Sequence, residues 1–200
     1  MKRVVILAIV LFFILPSVLF ASIASLNVGA TAQFKLATGE VEADRLSELE
    51  NWDFGPELRF RFLFAEVVAA GLYSGTEDDG HKISGILTGG VSLDVLGFLR
   101  VGLGMGPRMG VSFDKDFGNP QVITPLGPTS TLEGFGDAFM NAPMTFRATA
   151  DLKLGKFLMG LTYMIDSNGF TFSDADYDKL LPDFENTQGR VGVSLLYNLF

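Results

Sequence analysis

The 200-residue chain contains no cysteine, a single histidine and fewer basic than acidic residues. The absence of cysteine excludes disulfides, thiolate metal sites, cysteine nucleophiles and a lipidated cysteine. With 15 basic against 23 acidic residues, the net charge of -8 excludes nucleic-acid binding through bulk positive charge. Hydrophobic residues make up 48% of the chain, which includes 19 phenylalanines and 23 glycines. This composition indicates one folded and unusually apolar domain rather than a disordered chain.

The N-terminal segment has the composition of a secretory signal peptide. Two basic residues precede the apolar residues 4–20, and small residues follow. We predict a signal peptide over residues 1–24 that is cleaved after Ala24, because Ser22 and Ala24 then supply the small side chains at positions −3 and −1. Cleavage after Ala21 fits less well, since a leucine would occupy position −3. An uncleaved membrane anchor is the alternative interpretation of the same apolar run.

Beyond this segment, apolar side chains recur at every second position. No run of 18 apolar residues occurs there, so the sequence offers no candidate for a spanning helix. Alternation of this kind predicts strands whose two faces meet different surroundings. We predict eight strands of about ten residues, the length that a tilted strand needs to cross a bilayer. These strands cover residues 26–36, 54–64, 66–74, 83–95, 99–113, 144–154, 157–166 and 190–199. In the third, consecutive valines and alanines leave open which face points outward.

The predicted connections alternate between long and short. The long ones cover residues 38–52, 75–82, 114–140 and 167–188, and the short ones residues 65–66, 96–97 and 155–156. In an antiparallel meander this alternation collects all long loops at one end and all tight turns at the other. The predicted fold class is therefore all-β. The domain, residues 25–200, is predicted as an eight-stranded antiparallel up-and-down transmembrane β-barrel.

Charge and aromatic residues divide along the same axis. The long loops and their edges hold 19 of the 23 acidic residues and four basic ones. Aromatic residues gather at both ends of the predicted strands, as expected where strands cross the two interfaces of a membrane. Those near the loop end are Trp52, Phe54, Phe113 and Tyr163. Those near the turn end are Phe64, Phe98, Phe157, Tyr197 and Phe200.

The chain resembles the small eight-stranded outer-membrane barrels, the group of the OmpA transmembrane domain, OmpX and OmpW. The most specific local feature of this resemblance is the alternating C-terminal strand VSLLYNLF. It implies that Tyr197, Leu199 and Phe200 form an assembly signal that the barrel-assembly machinery recognises. It further implies the outer membrane of a diderm bacterium, contact with outer-membrane lipids, and periplasmic chaperones as partners during biogenesis. We expect a monomer that binds no nucleic acid.

Charged residues lie on the strand face that is predicted to point into the barrel. The predicted lumen-lining charged residues are Glu57, Arg59, Arg61, Asp94, Arg100, Arg108, Arg147, Asp151 and Arg190. With Lys35 and Lys153 included, eight basic residues face three acidic ones, an excess of five positive charges. One interpretation is a plug of arginine–carboxylate pairs, because buried charges must be paired or hydrated. Asp94 and Arg100 flank a tight turn and are predicted to form such a pair. The other interpretation is a narrow, anion-preferring, porin-like channel for small solutes.

Two further functions fit the sequence. The long acidic third and fourth loops favour an adhesin that acts through its extracellular loops. A soluble, lipocalin-like periplasmic binding barrel also has eight alternating strands, with the apolar face inward. The polar face of such a barrel would be dense in lysine and glutamate, whereas glycine, serine and threonine dominate that face here.

No constellation of catalytic residues is evident in the sequence. Outer-membrane phospholipases and lipid A deacylases use a histidine together with a serine, and His81 is the single histidine. His81 and Ser84 are three residues apart and would face opposite sides of a strand. We predict a solvated loop histidine, no enzymatic activity and no cofactor.

Acidic residues of the fourth loop have a spacing similar to that of calcium ligands: Asp174, Asp176, Asp178 and Glu185. Lys179 stands where such a loop has its glycine, and no helices are predicted on either side. We predict a solvated acidic loop without a dedicated metal site. Its clustered carboxylates are expected to attract divalent cations at the outer surface.

Overall fold

A computed structural model describes residues 23–36, 43–76, 80–124, 127–129, 135–183 and 189–200. The predicted signal peptide, residues 1–24, lies outside the described residues apart from its last two positions. Across these ranges, no helix combines the length and the apolar character needed to span a membrane.

Ten strands of the described chain form one antiparallel sheet, and eight of them close into a barrel. The strands are β1 (Ala24–Lys35), β2 (Trp52–Phe62), β3 (Ala65–Thr76), β4 (Gly80–Val95), β5 (Leu99–Phe113), β6 (Gln121–Thr124), β7 (Gly127–Thr129), β8 (Met144–Leu154), β9 (Phe157–Asp166) and β10 (Arg190–Asn198). Barrel strands pair in chain order, and the first closes on the last, with Val28 opposite Tyr197. The predicted eight-stranded antiparallel up-and-down barrel is confirmed.

Side chains alternate between the two faces of the barrel wall, and the apolar ones point outward. On β2, Leu58 and Phe60 are each 42% exposed, whereas Arg59 between them is completely buried. On β10, Leu195 is exposed and its neighbour Ser194 is buried. A water-soluble barrel has the opposite arrangement. The chain is therefore a barrel of the outer-membrane type, with a polar interior and an apolar wall.

Strand β3, whose orientation the sequence leaves open, turns Val68 and Leu72 inward and Tyr73 outward. Inside the barrel, Leu72 packs with Ile86 and Met164 in a buried apolar cluster, called here the apolar layer. The sequence predicts polar side chains over the whole inner face, and the apolar layer is an exception. It explains why apolar and polar residues do not alternate clearly along β3, since both faces of this strand accept apolar side chains.

Two connections differ from the prediction. The turn between β2 and β3 consists of Leu63 and Phe64, because the predicted turn residues 65–66 already pair with β2. Leu63 has a φ of 56°, a left-handed conformation that helps reverse the chain. Residues 75–82, predicted as a long loop, are mostly strand, and residues 77–79 alone separate β3 from β4.

The predicted third loop, residues 114–140, contains regular structure. β5 continues past its last pair with β8, and β6 covers this free edge, with Ile123 opposite Gly110. β7 pairs with β6 to complete a small hairpin, and the short helix α1 (Phe135–Met140) follows. The other described helices are 3-10 turns at Ala43–Ser47, Leu49–Asn51 and Tyr177–Lys179.

Candidate functional site: the charged interior of the barrel

The nine charged residues predicted to line the lumen all lie on the inner face of the barrel. Eight are buried, and Arg190, near the loop end, is half-buried. They point inward because each lies at an even step from its inward neighbours along an alternating strand. Together with further charged residues they form three groups, at the centre, the turn end and the loop end of the lumen.

The central network consists of Arg59, Glu57, Asp151, Arg147 and Ser194. Arg59 donates from Nη1 to both carboxylate oxygens of Asp151 at 2.7 Å, and from Nη2 to Ser194 Oγ at 2.8 Å. Glu57 accepts from Arg59 Nε and, at 2.6 Å, from Arg147 Nη2. These contacts connect β2 with β8 and β10, which are not its neighbours in the sheet. The network therefore crosses the lumen instead of following the wall.

The turn-end network is centred on one carboxylate, Asp94. Arg61 Nη1 donates to Asp94 Oδ2 at 2.7 Å, and Arg100 Nε donates to Oδ1 at 2.9 Å. Lys153 Nζ lies 3.3 Å from Oδ2. The Asp94–Arg100 pair predicted across the tight turn is present, with the two residues opposite each other in the register. One buried acid thus binds three bases.

The loop-end network is built on two carboxylates that were predicted at loop edges, Asp53 and Asp166. Asp53 pairs with Arg190 and, at 3.1 Å, with Lys35 Nζ. Asp166 pairs with Arg108. Asp53 continues the inward alternation of β2 by one step beyond the predicted start of that strand, and extending the period of two by one step would have found it. Asp166 is the last residue of the predicted strand 157–166, on the same face as Gly160 and Thr162.

These carboxylates correct the predicted charge balance. In the described residues, nine basic and six acidic side chains point inward, because Asp53, Glu66, Lys82 and Asp166 join the predicted set. The predicted excess of five positive charges is wrong, and the excess is three. Each lumen arginine has a carboxylate partner.

Side chains fill the interior closely. At Gly160, a Cβ would lie 2.3 Å from Asp151 Oδ1 and 2.5 Å from Ser194 Oγ, so only glycine leaves room for the central network. A cavity of about 10 Å³ beside Glu66 and Thr149 has space for about one water molecule. This packing agrees with an eight-stranded barrel, whose interior is just wide enough for its own side chains.

His81 lies in β4 and not in a loop, so its prediction as a solvated loop histidine is wrong. Its ring stacks on Phe117 with 3.8 Å between the ring centroids, and its Nδ1 lies 2.7 Å from Tyr73 Oη. The longer β3–β4 hairpin explains this position, because it carries His81 up to the turn that contains Phe117. Ser84 is buried on the inner face, so the two side chains lie on opposite sides of the wall.

In the fourth loop, Lys179 lies between two of the clustered acids. Its Nζ is 3.0 Å from Asp174 Oδ2 and 3.4 Å from Asp176 Oδ2. The hydrogen bond to Asp174 and the charges of both acids raise the pKa of Lys179 above its ordinary value. Within the described part of the chain, no three metal-ligating side chains converge. Glu185, the fourth residue of the calcium-like spacing, lies outside the described residues.

The predicted C-terminal assembly signal lies at the turn end of the closing strand. Tyr197 lies within β10 and makes an edge-on contact with Phe157, with 5.4 Å between the ring centroids. Leu199 donates its backbone N–H to Leu26 at 2.8 Å and so continues the pairing with β1. Leu199 and Phe200 are 49% and 64% exposed. These side chains are available on the outer surface of the barrel.

No protein-family model matches the sequence, and no curated protein matches it. Among solved structures, the fold is similar to the crystal structure of Ail, the attachment invasion locus protein of Yersinia pestis. The TM-score is 0.47 at 13% identity, covering 88% of this chain and 97% of that one. For the crystal structure of Ail in complex with the heparin analogue sucrose octasulfate, the TM-score is 0.46 at 13% identity. The backbone structure of the outer membrane protein Ail in a phospholipid bilayer nanodisc gives 0.41 at 14% identity, covering 86% and 99%. At these identities the similarity is one of fold alone.

Proposed function

We propose that this chain is an integral outer-membrane protein of a diderm bacterium, that its filled barrel does not conduct, and that it is not an enzyme. The observation that supports the proposal most is the orientation of the side chains, with charged residues inside the barrel and apolar residues outside. Arg59 and Asp151 are completely buried, whereas Leu103 and Leu161 are 67% and 60% exposed. Moving apolar surface from water into lipid is favourable by about 25 cal/mol per Å². A closed sheet also satisfies every backbone group of the wall internally, as a spanning structure must.

A soluble periplasmic barrel is the weaker alternative. In water, its outer wall would expose large side chains such as Phe60 and Leu195 over the whole circumference. Soluble monomers rarely expose continuous apolar patches of that extent. The interior would also lack the apolar cavity that a lipocalin-like binding protein needs, because charged networks occupy it.

A conducting lumen has little support from the geometry. The central network crosses the barrel at hydrogen-bond distances, and the apolar layer of Leu72, Ile86 and Met164 occupies another level. Opening a path would separate buried ion pairs, and leaving one such charge unpaired costs about 3–5 kcal/mol. The charged residues of the lumen therefore support the plug interpretation, in which they hold the barrel in one register.

Export, processing and assembly complete the proposal. We expect cleavage after Ala24, which would leave Ser25 as the first residue and remove one residue from β1. The barrel-assembly machinery and periplasmic chaperones would act on the exported chain, with Tyr197, Leu199 and Phe200 as the assembly signal. The eight strands of the barrel wall close on one another and expose no sheet edge to a second copy, which favours a monomer.

The experiment that tests this proposal compares unheated and boiled samples of the membrane-extracted protein on a gel. A folded membrane barrel is expected to migrate differently before boiling, and N-terminal sequencing is expected to begin at Ser25. A protein that stays in the soluble fraction without such a shift would contradict membrane insertion. In planar bilayers we expect no conductance steps. Stepwise, anion-selective currents would instead establish the channel.

An adhesive role through the loops is the second candidate. Its specific support is a set of large apolar side chains that stand exposed among acidic loop residues. Leu49, Tyr177 and Leu181 are 75%, 76% and 71% exposed. Acidic and apolar groups together suit a basic protein surface as the partner.

Adhesion can be tested with cells that display the protein on an immobilised basic protein such as cytochrome c. A Tyr177→Ser, Leu181→Ser variant is expected to bind less, while a Leu103→Val variant in the wall serves as the matched control. Deleting residues 119–137 is expected to reduce binding further without unfolding the barrel. Equal retention of all variants and of cells without the protein would contradict the adhesive role.

A further inference from the structure

A small polar pocket lies at the loop end of the lumen. Its cavity of about 20 Å³ is lined by Lys82 and Ser84 of β4, Arg108 and Gly110 of β5, and Ile123 of β6. The β6–β7 hairpin, which the sequence did not predict, supplies one wall of this pocket through the Gly110–Ile123 pair. The pocket is therefore a product of the fold and not of a single segment.

Donor groups in this pocket lack acceptors within the described chain. Arg108 is 7% exposed and pairs with Asp166 through Nη2, but its Nε is buried without a hydrogen-bond partner. Lys82 is half-buried and has neither a hydrogen bond nor an ion pair to any described residue. The buried Ser84 is likewise without a described hydrogen bond. Of these three groups, Arg108 Nε is the donor that is both buried and without a partner, and such a donor is costly unless something accepts from it.

The surroundings of the pocket are positively charged. Four bases lie at this end of the lumen against the two carboxylates of the loop-end network, Asp53 and Asp166. The four bases are Lys35, Lys82, Arg108 and Arg190. Lys82 is near the positive charges of Arg190 and Arg108, and the negative charge that acts on it is that of Asp53, which is already paired with Lys35 and Arg190. An excess of positive charge in a partly desolvated site favours an anion.

We infer that Lys82, Ser84 and Arg108 bind a small oxyanion of the phosphate class at the open side of this pocket, because the cavity of about 20 Å³ has room for little more than one of its oxygens. An arginine N–H, an ammonium and a hydroxyl are the donors that proteins use for phosphate oxygens. This inference goes beyond the proposed function and requires only the folded barrel. The phosphate group has two sources, free inorganic phosphate and the phosphate of a lipid headgroup at the outer surface.

The first arm of the test uses the protein in maltoside micelles, which contain no phosphate. Isothermal titration with inorganic phosphate is expected to give one site per barrel, with sulfate as a competitor. Lys82→Gln is expected to weaken phosphate binding at least about tenfold, because it removes a charge-assisted hydrogen bond. Lys82→Arg is expected to retain binding. Lys156→Gln, at the opposite end of the barrel, is the matched control and is expected to bind as the parent does.

The second arm separates the two sources of phosphate. The barrel is placed in nanodiscs of phosphatidylcholine with or without phosphatidate, and lipid retained by the protein is measured by native mass spectrometry. Retention of phosphatidate that Lys82→Gln abolishes assigns the site to a lipid headgroup. Binding of free phosphate without such retention assigns it to the soluble anion.

The outcome that overturns the inference is defined for folded protein only, as shown by the gel shift on heating. No binding of phosphate at millimolar concentration, together with no retained phosphatidate, would reject the site. Binding that is equally tight in Lys82→Gln would place the anion elsewhere and would equally reject the site.

Discussion

Arg59 inside the barrel and Lys179 in the fourth loop are both basic side chains held by two carboxylates, yet their surroundings differ. The Arg59 side chain is completely buried, and its partners Glu57 and Asp151 are too. The Lys179 side chain is 43% exposed, and Asp174 is 64% exposed. The two clusters contain the same kind of ion pair, one in the interior of the barrel and the other in contact with water.

This difference decides what each cluster does for the protein. Around Lys179, water screens the charges and replaces any lost partner, so an exposed pair contributes little. Around Arg59, a lost partner leaves a charge without water, and the remaining network has to carry it. Sequence alone shows ion-pair candidates in both places, and burial separates a structural network from a solvated one.

The largest effect is expected from removing a buried acid. Asp151→Asn leaves Arg59 with Glu57 as its remaining carboxylate, and we expect a loss of about 3 kcal/mol in the free energy of unfolding. Denaturant unfolding in lipid vesicles, followed by the fluorescence of the single Trp52, measures it. Asp174→Asn in the loop is the matched control and is expected to leave the unfolding midpoint unchanged. Equal stability of Asp151→Asn and the parent would remove the contrast between the two clusters.

A smaller effect is expected from crowding the central network. Gly160→Ala would place a methyl group 2.3 Å from Asp151 Oδ1, and we expect a loss of about 1–3 kcal/mol. Gly89→Ala, where the added methyl group meets no atom within 4 Å on the lipid-facing wall, is the control. The same unfolding experiment compares the two variants. If both alanines behave alike, the interior is less closely packed than the distances indicate.

A base at the edge of the buried region should lie between these extremes. Lys153 is 26% exposed and shares Asp94 with Arg61 and Arg100, which remain after Lys153→Gln. We expect a loss of less than about 1 kcal/mol, measured in the same assay. A loss as large as that of Asp151→Asn would show that all three bases of the turn-end network are needed together.

The smallest effect concerns Lys179 and pH. Its pKa in the folded protein is raised above the ordinary value of 10.5, so its contribution to stability is complete below that pH and is lost as the pH rises above it. The difference in unfolding midpoint between the parent and Lys179→Gln is expected to be slight and constant from pH 7 to 9. It should disappear at alkaline pH. A difference that grew with rising pH would reverse the assigned sign.

Much of the fold follows from the sequence because a barrel wall has two unlike faces. Leu58, Arg59 and Phe60 show the alternation directly, and the structure places them as the period of two requires. Asp53 was missed because it adjoins an acidic loop, where composition hides the end of the strand, and Asp166, at the end of its predicted strand, was counted with the acids of the loop that follows. Local pattern cannot tell an inward carboxylate from a loop carboxylate at the boundary between a strand and an acidic loop.

The remaining differences come from contacts between distant segments. The apolar layer of Leu72, Ile86 and Met164 is formed by three strands, so the sequence pattern of one strand does not reveal it. The site of His81 depends on Phe117, which a separate turn brings to it. The β6–β7 hairpin depends on the free edge of β5 beyond the last pair with β8. Contacts between distant segments of this kind leave no recognisable pattern in the local sequence.

The seam between β1 and β10 sets a condition on the timing of folding. Val28 pairs with Tyr197, so the first and last strands of the barrel are hydrogen-bonded to each other. The wall cannot close while the chain is incomplete. Bringing the two ends of the chain together lowers its conformational entropy before the hydrogen bonds between β1 and β10 can stabilise the barrel. A chain that lacks its final strand keeps two open edges in lipid, which the membrane does not tolerate. Insertion should therefore be coupled to the arrival of the C-terminus, and a truncated chain should remain a substrate for proteolysis instead of a partial barrel.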